Sequence, residues 1–151
     1  PMPQNLAYLE QHVSLNSLTN VVVVAAAVAE SYGKLLMSEG DSPSEFFVDP
    51  NGSFEVPAIA LDEWREQTNT PPPNVVKIDV EGAEAEVLRG GAKTISTYRP
   101  TVYLALHGER QRQECGEMLI GWGYKLISLE PGLAVDVSCE WLAEASRIES
   151  P

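Results

Sequence analysis

The second half of the chain alternates between short apolar, β-branched runs and longer segments with helical periodicity, and this order restricts the fold most. The pattern predicts strands at 75–80, 101–106 and 124–129, a helix over 83–98 that Gly90-Gly91 weakens, and an amphipathic helix over 109–122. Strands that alternate with helices form parallel sheets with helices on both faces and right-handed connections. The 151 residues therefore predict one α/β domain.

The first half of the chain predicts three further elements. Apolar residues at helical spacing behind Pro3 indicate a helix that ends near Asn16. The unbroken apolar run Val21–Ala25 is typical of a strand that is buried on both faces, as is Val75–Val80 further on. Leu61–Gln67 predicts a short helix before a proline-rich spacer.

A hairpin is predicted in the first half of the chain. Asn51-Gly52 lies between Phe46–Val48 and Phe54–Val56, and Asn-Gly between two strand-like runs is a strong hairpin signal. We expect the two runs to pair with each other and the turn residues to adopt positive φ.

The C-terminal end predicts an antiparallel pair that closes the sheet. Pro131-Gly132 marks a turn between the runs 124–129 and 133–137. From Glu140 onward the pattern indicates at most one helical turn. We therefore assign 1–138 to the domain and 139–151 to a C-terminal tail.

Charge and cysteine content exclude several classes of function. Ten basic against 22 acidic residues give a formal net charge of −12, so nucleic acids and anionic membranes would repel the chain. No apolar run approaches the ~20 residues of a membrane helix. Two cysteines, Cys115 and Cys139, are too few for a disulfide scaffold. Without a leader-like segment, we expect a cytoplasmic protein.

Titratable residues follow two of the predicted parallel strands. Asp79 and Glu81 share one face at the end of the first strand, and His107 ends the next. Because ligands bind outside the carboxyl ends of such strands, we expect the three side chains to converge. Each residue has an alternative role. Glu81 would interact favourably with the N-terminus of the following helix, Asp79 would cap that helix, and His107 would be an ordinary polar residue at the rim of the sheet. Lys77 would pair with a carboxylate or extend to the rim.

The residues around this site resemble the FkbM family of S-adenosylmethionine-dependent methyltransferases. The resemblance rests on the following segments: Lys77-Ile-Asp-Val-Glu-Gly-Ala-Glu84, Val87-Leu88-Arg89-Gly90, Arg99-Pro100, the strand that ends in His107, and Leu61-Asp62-Glu63-Trp64. It implies a Rossmann-like methyltransferase sheet, mostly parallel with antiparallel closing strands.

The resemblance also implies an activity and roles for the three residues. S-adenosylmethionine would donate a methyl group to a hydroxyl of a small molecule or sugar. His107 is then the candidate catalytic base, while Asp79 and Glu81 orient His107 or the acceptor. The three residues do not make a full set of oxygen ligands for a divalent metal, so no metal is predicted.

Two departures from the family pattern shape further expectations. The chain lacks the Gly-rich cofactor loop and the acidic ribose-binding residue, so we expect a partial domain without its first strands. We expect such a chain to bind S-adenosylmethionine weakly, to be inactive alone and to self-associate through exposed strand edges. Ala105 stands where the family usually carries Glu, two residues before His107.

Two alternatives to methyl transfer are a metal-assisted α/β hydrolase that uses Asp79, Glu81 and His107, and a non-catalytic interaction module.

Overall fold

A computed structural model describes residues 1–40 and 45–145 as a mixed α/β structure. The helices are α1 (Pro3–Leu15), α2 (Leu61–Thr68), α3 (Glu84–Gly90), α4 (Ala92–Tyr98) and α5 (Glu109–Gly121). The strands are β1 (Ala27–Val28), β2 (Gly33–Glu39), β3 (Phe46–Val48), β4 (Phe54–Ile59), β5 (Val75–Ile78), β6 (Thr101–Ala105), β7 (Tyr124–Ser128) and β8 (Glu140–Ala145).

The strands form two four-stranded sheets rather than one. The first has the order β1-β4-β2-β3, and the second has the order β5-β6-β8-β7. In the second sheet β5 and β6 are parallel, whereas β8 is antiparallel to both β6 and β7. The predicted α/β class and the parallel pair that carries the candidate site are confirmed.

The strand predicted at Val21–Ala25 is wrong. These residues form no strand, and Val22 is 82% exposed. Strand pairing begins only at Ala27, which lies opposite Ala58 of β4. β-Branched residues favour a strand only where a neighbouring strand supplies hydrogen bonds, and no strand among the described residues pairs with 21–25.

The turn at Asn51-Gly52 exists, but the predicted hairpin pairing is wrong. The Gly52 N–H donates to the Asp49 carbonyl oxygen at 2.8 Å. Strand β2, which was not predicted, lies between β3 and β4, so that Met37 faces both Val48 and Phe54. Neither Asn51 nor Gly52 has positive φ. Long-range pairing with β2 therefore replaces the local hairpin.

The closing pair contains β7 as predicted, but its partner is different. Residues 133–137 form no strand, and the predicted helical turn beyond Glu140 is instead strand β8. Trp141 and Ala143 alternate with more exposed neighbours and are buried against the core. This alternating burial, together with pairing to both β6 and β7, stabilises a strand in the segment that we assigned to the C-terminal tail.

The main core lies between the second sheet and helices α3, α4 and α5. Its fully buried members include Leu88, Ile95, Leu104, Cys115 and Leu119. Burial raises the pKa of the Cys115 thiol to about 12, as expected of a small apolar core residue.

Strand β5 lies at the edge of the second sheet. The prediction that this strand is buried on both faces is wrong, because Val75 is 58% exposed and only Ile78 is fully buried. Among the described residues no helix is long and apolar enough to cross a membrane.

Candidate functional site

The structure brings Asp79, Glu81 and His107 together at one edge of the second sheet. Strands β5 and β6 are parallel neighbours with Ile78 opposite Leu104, so the segments that follow them leave the sheet side by side. His107 Nε2 lies 3.3 Å from Glu81 Oε2 and 3.9 Å from Asp79 Oδ1. The predicted convergence of the three side chains is therefore confirmed, while their catalytic roles stay a prediction.

An unusual turn between β5 and α3 directs Glu81 toward the histidine. Glu81 has φ of 53° and Gly82 has φ of 95°, a left-handed conformation that disfavours a side chain such as that of Glu81. Gln111 of α5 holds this turn, since its Nε2 donates to the Gly82 carbonyl at 2.6 Å and its Oε1 accepts from the Ala85 N–H at 2.8 Å. Contacts from another helix thus maintain a conformation that the local sequence disfavours.

Glu84 is a fourth site residue, for which the sequence suggested no role. Its side chain is fully buried, and Oε1 lies 2.8 Å from His107 Nδ1. The signal available was an acidic residue on a helix face that continues with Leu88 four residues later. A charged side chain on such a face is rarely buried without a partner, and here the partner is His107.

Asp79 forms an ion pair with Lys77 and does not cap a helix. Ala83 is the N-cap residue of α3 and no side chain caps this helix, so Asp79 is not a helix cap. Lys77 Nζ instead donates to Asp79 Oδ2 at 2.8 Å, with both side chains about half exposed. Lys77 therefore pairs with a carboxylate at the rim.

The electrostatic environment of His107 favours its protonated form. Partial burial is the largest single effect and lowers the pKa of His107. The hydrogen bond to Glu84 and the negative charges of Glu81, Glu84 and Asp79 together outweigh burial and raise the pKa above its ordinary value of 6.5. The imidazole is consequently a stronger base than a free histidine.

The same three residues have the chemistry of a divalent metal site. Asp79, Glu81 and His107 each offer one ligand atom, and these atoms lie within 4.8 Å of one another. Two carboxylate oxygens and one imidazole nitrogen would leave further coordination positions open for water or substrate.

A cavity of about 450 Å³ lies beside Asp79 and Glu81, between the two sheets. Its volume is within the usual range for a small-molecule site. Its other wall comes from the N-terminal residues Pro1, Met2 and Asn5 and from residues in or near the first sheet, which include Ala27, Val28, Leu35, Met37, Phe46 and Val48. The two carboxylates thus supply the charged groups of a cleft whose remaining side chains are mostly apolar.

Polar residues at the carboxyl ends of parallel strands, next to such a cleft, lie where α/β proteins commonly bind their ligands. Comparison with known proteins specifies the class further. The chain belongs to the FkbM methyltransferase family, since the model described as "Methyltransferase FkbM domain" matches residues 1–134.

Two individual proteins are similar to this chain. Hexuronic acid methyltransferase AglP from Haloferax volcanii is 51% identical over 43 residues, which are 28% of this chain and 18% of AglP. The crystal structure of methyltransferase FkbM from Methylobacillus flagellatus KT matches with a TM-score of 0.64 and 18% identity. That match covers 95% of this chain and 34% of the solved chain, so this chain spans about a third of that protein's length.

Proposed function

We propose that this chain forms part of an S-adenosylmethionine-dependent O-methyltransferase that acts on a hydroxyl of a small molecule or sugar. One observation carries the proposal. His107 Nδ1 is held by the buried Glu84, and Nε2 lies beside Asp79 and Glu81, the two carboxylates that line the cavity. Membership of a methyltransferase family and the hexuronic acid activity in the name of AglP support it.

The described residues fit one end of S-adenosylmethionine. Asp79 and Glu81 place negative charge on the wall of a cavity of about 450 Å³, and a sulfonium cation is attracted to such a wall. When bound, the cofactor supplies an electrophilic methyl group. Asp79 and Glu81 are the residues that would face its charged end.

The roles of the chain's own residues follow from their positions. His107 Nε2 would accept the proton of the acceptor hydroxyl, and the raised pKa of His107 strengthens it as a base. Asp79 and Glu81 would hold the hydroxyl in line with the methyl group. The apolar wall around Met37 and Phe46 would exclude water from the acceptor.

The test is methyl transfer from labelled S-adenosylmethionine to a panel of neutral sugars and alcohols by the complete gene product. We expect His107→Ala to reduce kcat at least tenfold, because a general base contributes about 10²–10⁴. His12→Ala, which changes the other histidine, is the matched control and should leave turnover unchanged. Full activity of His107→Ala would remove His107 from the mechanism, and label transfer to an added panel of amines but to none of the sugars and alcohols would contradict O-methylation.

A second candidate function is metal-assisted hydrolysis. The observation that favours it is the convergence of ligand atoms from Asp79, Glu81 and His107 within 4.8 Å. A metal bound there would activate water for attack on an ester or phosphoester. Hydrolysis that depends on added Mn²⁺ or Mg²⁺, without any need for S-adenosylmethionine, would favour this candidate over methyl transfer.

A further inference from the structure

We propose that Glu84 is a positioning residue that fixes the tautomer of His107. In the neutral ring Nδ1 carries the proton and Nε2 is left free to accept one. The Glu84–His107 and Gly82–Glu84 contacts are hydrogen bonds within the chain itself. Only the use made of Nε2 rests on the function proposed above.

The hydrogen bonds at Glu84 Oε1 determine which atom donates. Oε1 lies 3.0 Å from the Gly82 backbone nitrogen and 2.8 Å from His107 Nδ1. A backbone N–H can only donate, so Oε1 is an acceptor at this position. One carboxylate oxygen can accept from both groups at once, so we infer that Nδ1 carries the hydrogen of this bond.

Packing prevents Glu84 from rotating away from His107. The Glu84 side chain is fully buried within α3, and Gln111 holds the backbone on both sides through Gly82 and Ala85. The second oxygen, Oε2, is buried without a hydrogen-bond partner among the described residues. A buried oxygen in this state costs stability, and its retention is understandable if the other oxygen has a function.

The fixed tautomer directs the basic nitrogen toward the rest of the site. Glu81 Oε2 faces Nε2 at 3.3 Å, whereas Glu84 Oε1 faces Nδ1 at 2.8 Å, so Glu84 makes the better hydrogen bond with the single hydrogen of the neutral ring. Glu84 does not reach the rim, so it acts through His107 and would touch neither cofactor nor acceptor. Carboxyl groups fix imidazole tautomers in the same way behind other functional histidines.

Nitrogen-15 NMR of the histidine rings tests the proposal on the 151-residue chain without cofactor or turnover. Spectra are recorded above the titration of His107, where the ring is neutral, and the protonated and unprotonated nitrogens have widely separated shifts. We expect His107 to show protonated Nδ1 and unprotonated Nε2. The chain has two histidines, and the exposed His12 of α1 serves as the internal reference. A wild-type spectrum with His107 protonated on Nε2 would overturn the proposal on its own.

Three variants separate the role of Glu84 from a general structural effect. Glu84→Gln should keep the Nδ1–H form, because the Gly82 N–H still requires an acceptor oxygen there. Glu84→Leu should lose the preference, so that both tautomers are populated. Glu117→Gln on α5 is the control, because the exposed Glu117 accepts from Gln113 and lies outside the His107 site, so the tautomer should not change. An unchanged Nδ1–H form in folded Glu84→Leu would contradict the proposal, whereas failure of methyl transfer would leave these spectra unaffected.

Discussion

At the scale of single residues, His107 is the group whose chemistry depends most on its surroundings. Three carboxyl groups from three different positions lie within 4 Å of its ring nitrogens. Each acts as an opposite charge or hydrogen-bond acceptor and so favours the imidazolium form. The same contacts that strengthen the base also link its protonation to folding.

We predict that the contribution of His107 to stability falls as pH rises. The folded pKa of His107 is raised above the unfolded value of about 6.5, so the contribution is complete below pH 6.5 and is lost through the folded pKa. Urea unfolding of the wild type and His107→Gln over this pH range measures it. The difference in unfolding free energy should shrink with pH, and a difference that grows with pH would show that burial, which lowers the pKa, dominates.

At the scale of elements, helix α3 contacts the segment after β1 through a glycine. A Cβ added to the buried Gly90 would lie 2.0 Å from the Ala29 carbonyl oxygen, well inside any permitted contact. Gly90 is the last residue of α3, and Ala29 follows the short strand of the first sheet. The absence of a side chain at Gly90 thus permits helix α3 to lie close to the backbone that follows β1 of the first sheet.

We predict that Gly90→Ala destabilises the protein by about 1–3 kcal/mol through overpacking. Gly121 is the matched control, since it is the last residue of α5 and a Cβ there would meet nothing within 4 Å. Gly121→Ala should be neutral or stabilising by up to about 1 kcal/mol, because alanine favours helices. Chemical unfolding of both variants provides the comparison, and equal stability of the two would contradict the packing described here.

At the scale of the whole molecule, the second sheet depends on its last strand. β8 separates β6 from β7 and pairs with both, so neither neighbour can pair with the other in its place. Trp141 of β8 is 2% exposed, and its ring packs near Gly116 of α5. The segment that appeared least informative in sequence thus joins the sheet that carries the candidate site.

We predict that Trp141→Ala destabilises the protein by about 3–5 kcal/mol, the usual cost of removing a large buried aromatic ring. The exposed Glu144 on the same strand is the control, and Glu144→Ala should change stability by less than about 0.5 kcal/mol. A chain truncated after Ser138 should lose cooperative unfolding in circular dichroism, because β6 and β7 lose their shared neighbour. Cooperative unfolding of the truncated chain would show that the core closes without β8.

The sequence by itself determined the local elements and the position of the site. Helical spacing, β-branched runs and glycine breaks are properties of neighbouring residues, so α2, α3, α5, β5 and β6 could be predicted closely. Asp79, Glu81 and His107 could be placed together because parallel neighbouring strands end at the same edge of a sheet.

Only the tertiary structure decided the pairing of strands and the interior of the site. Val21–Ala25 has the composition of a strand, but no strand in the described part of the chain pairs with it. β3 and β4 both pair with β2, and β8 inserts between β6 and β7, because backbone hydrogen bonds join residues far apart in sequence. Glu84 became part of the site only when α3 came next to His107, in the segment that follows β6. Pairing and burial depend on which surfaces meet, and that information is distributed over the whole chain.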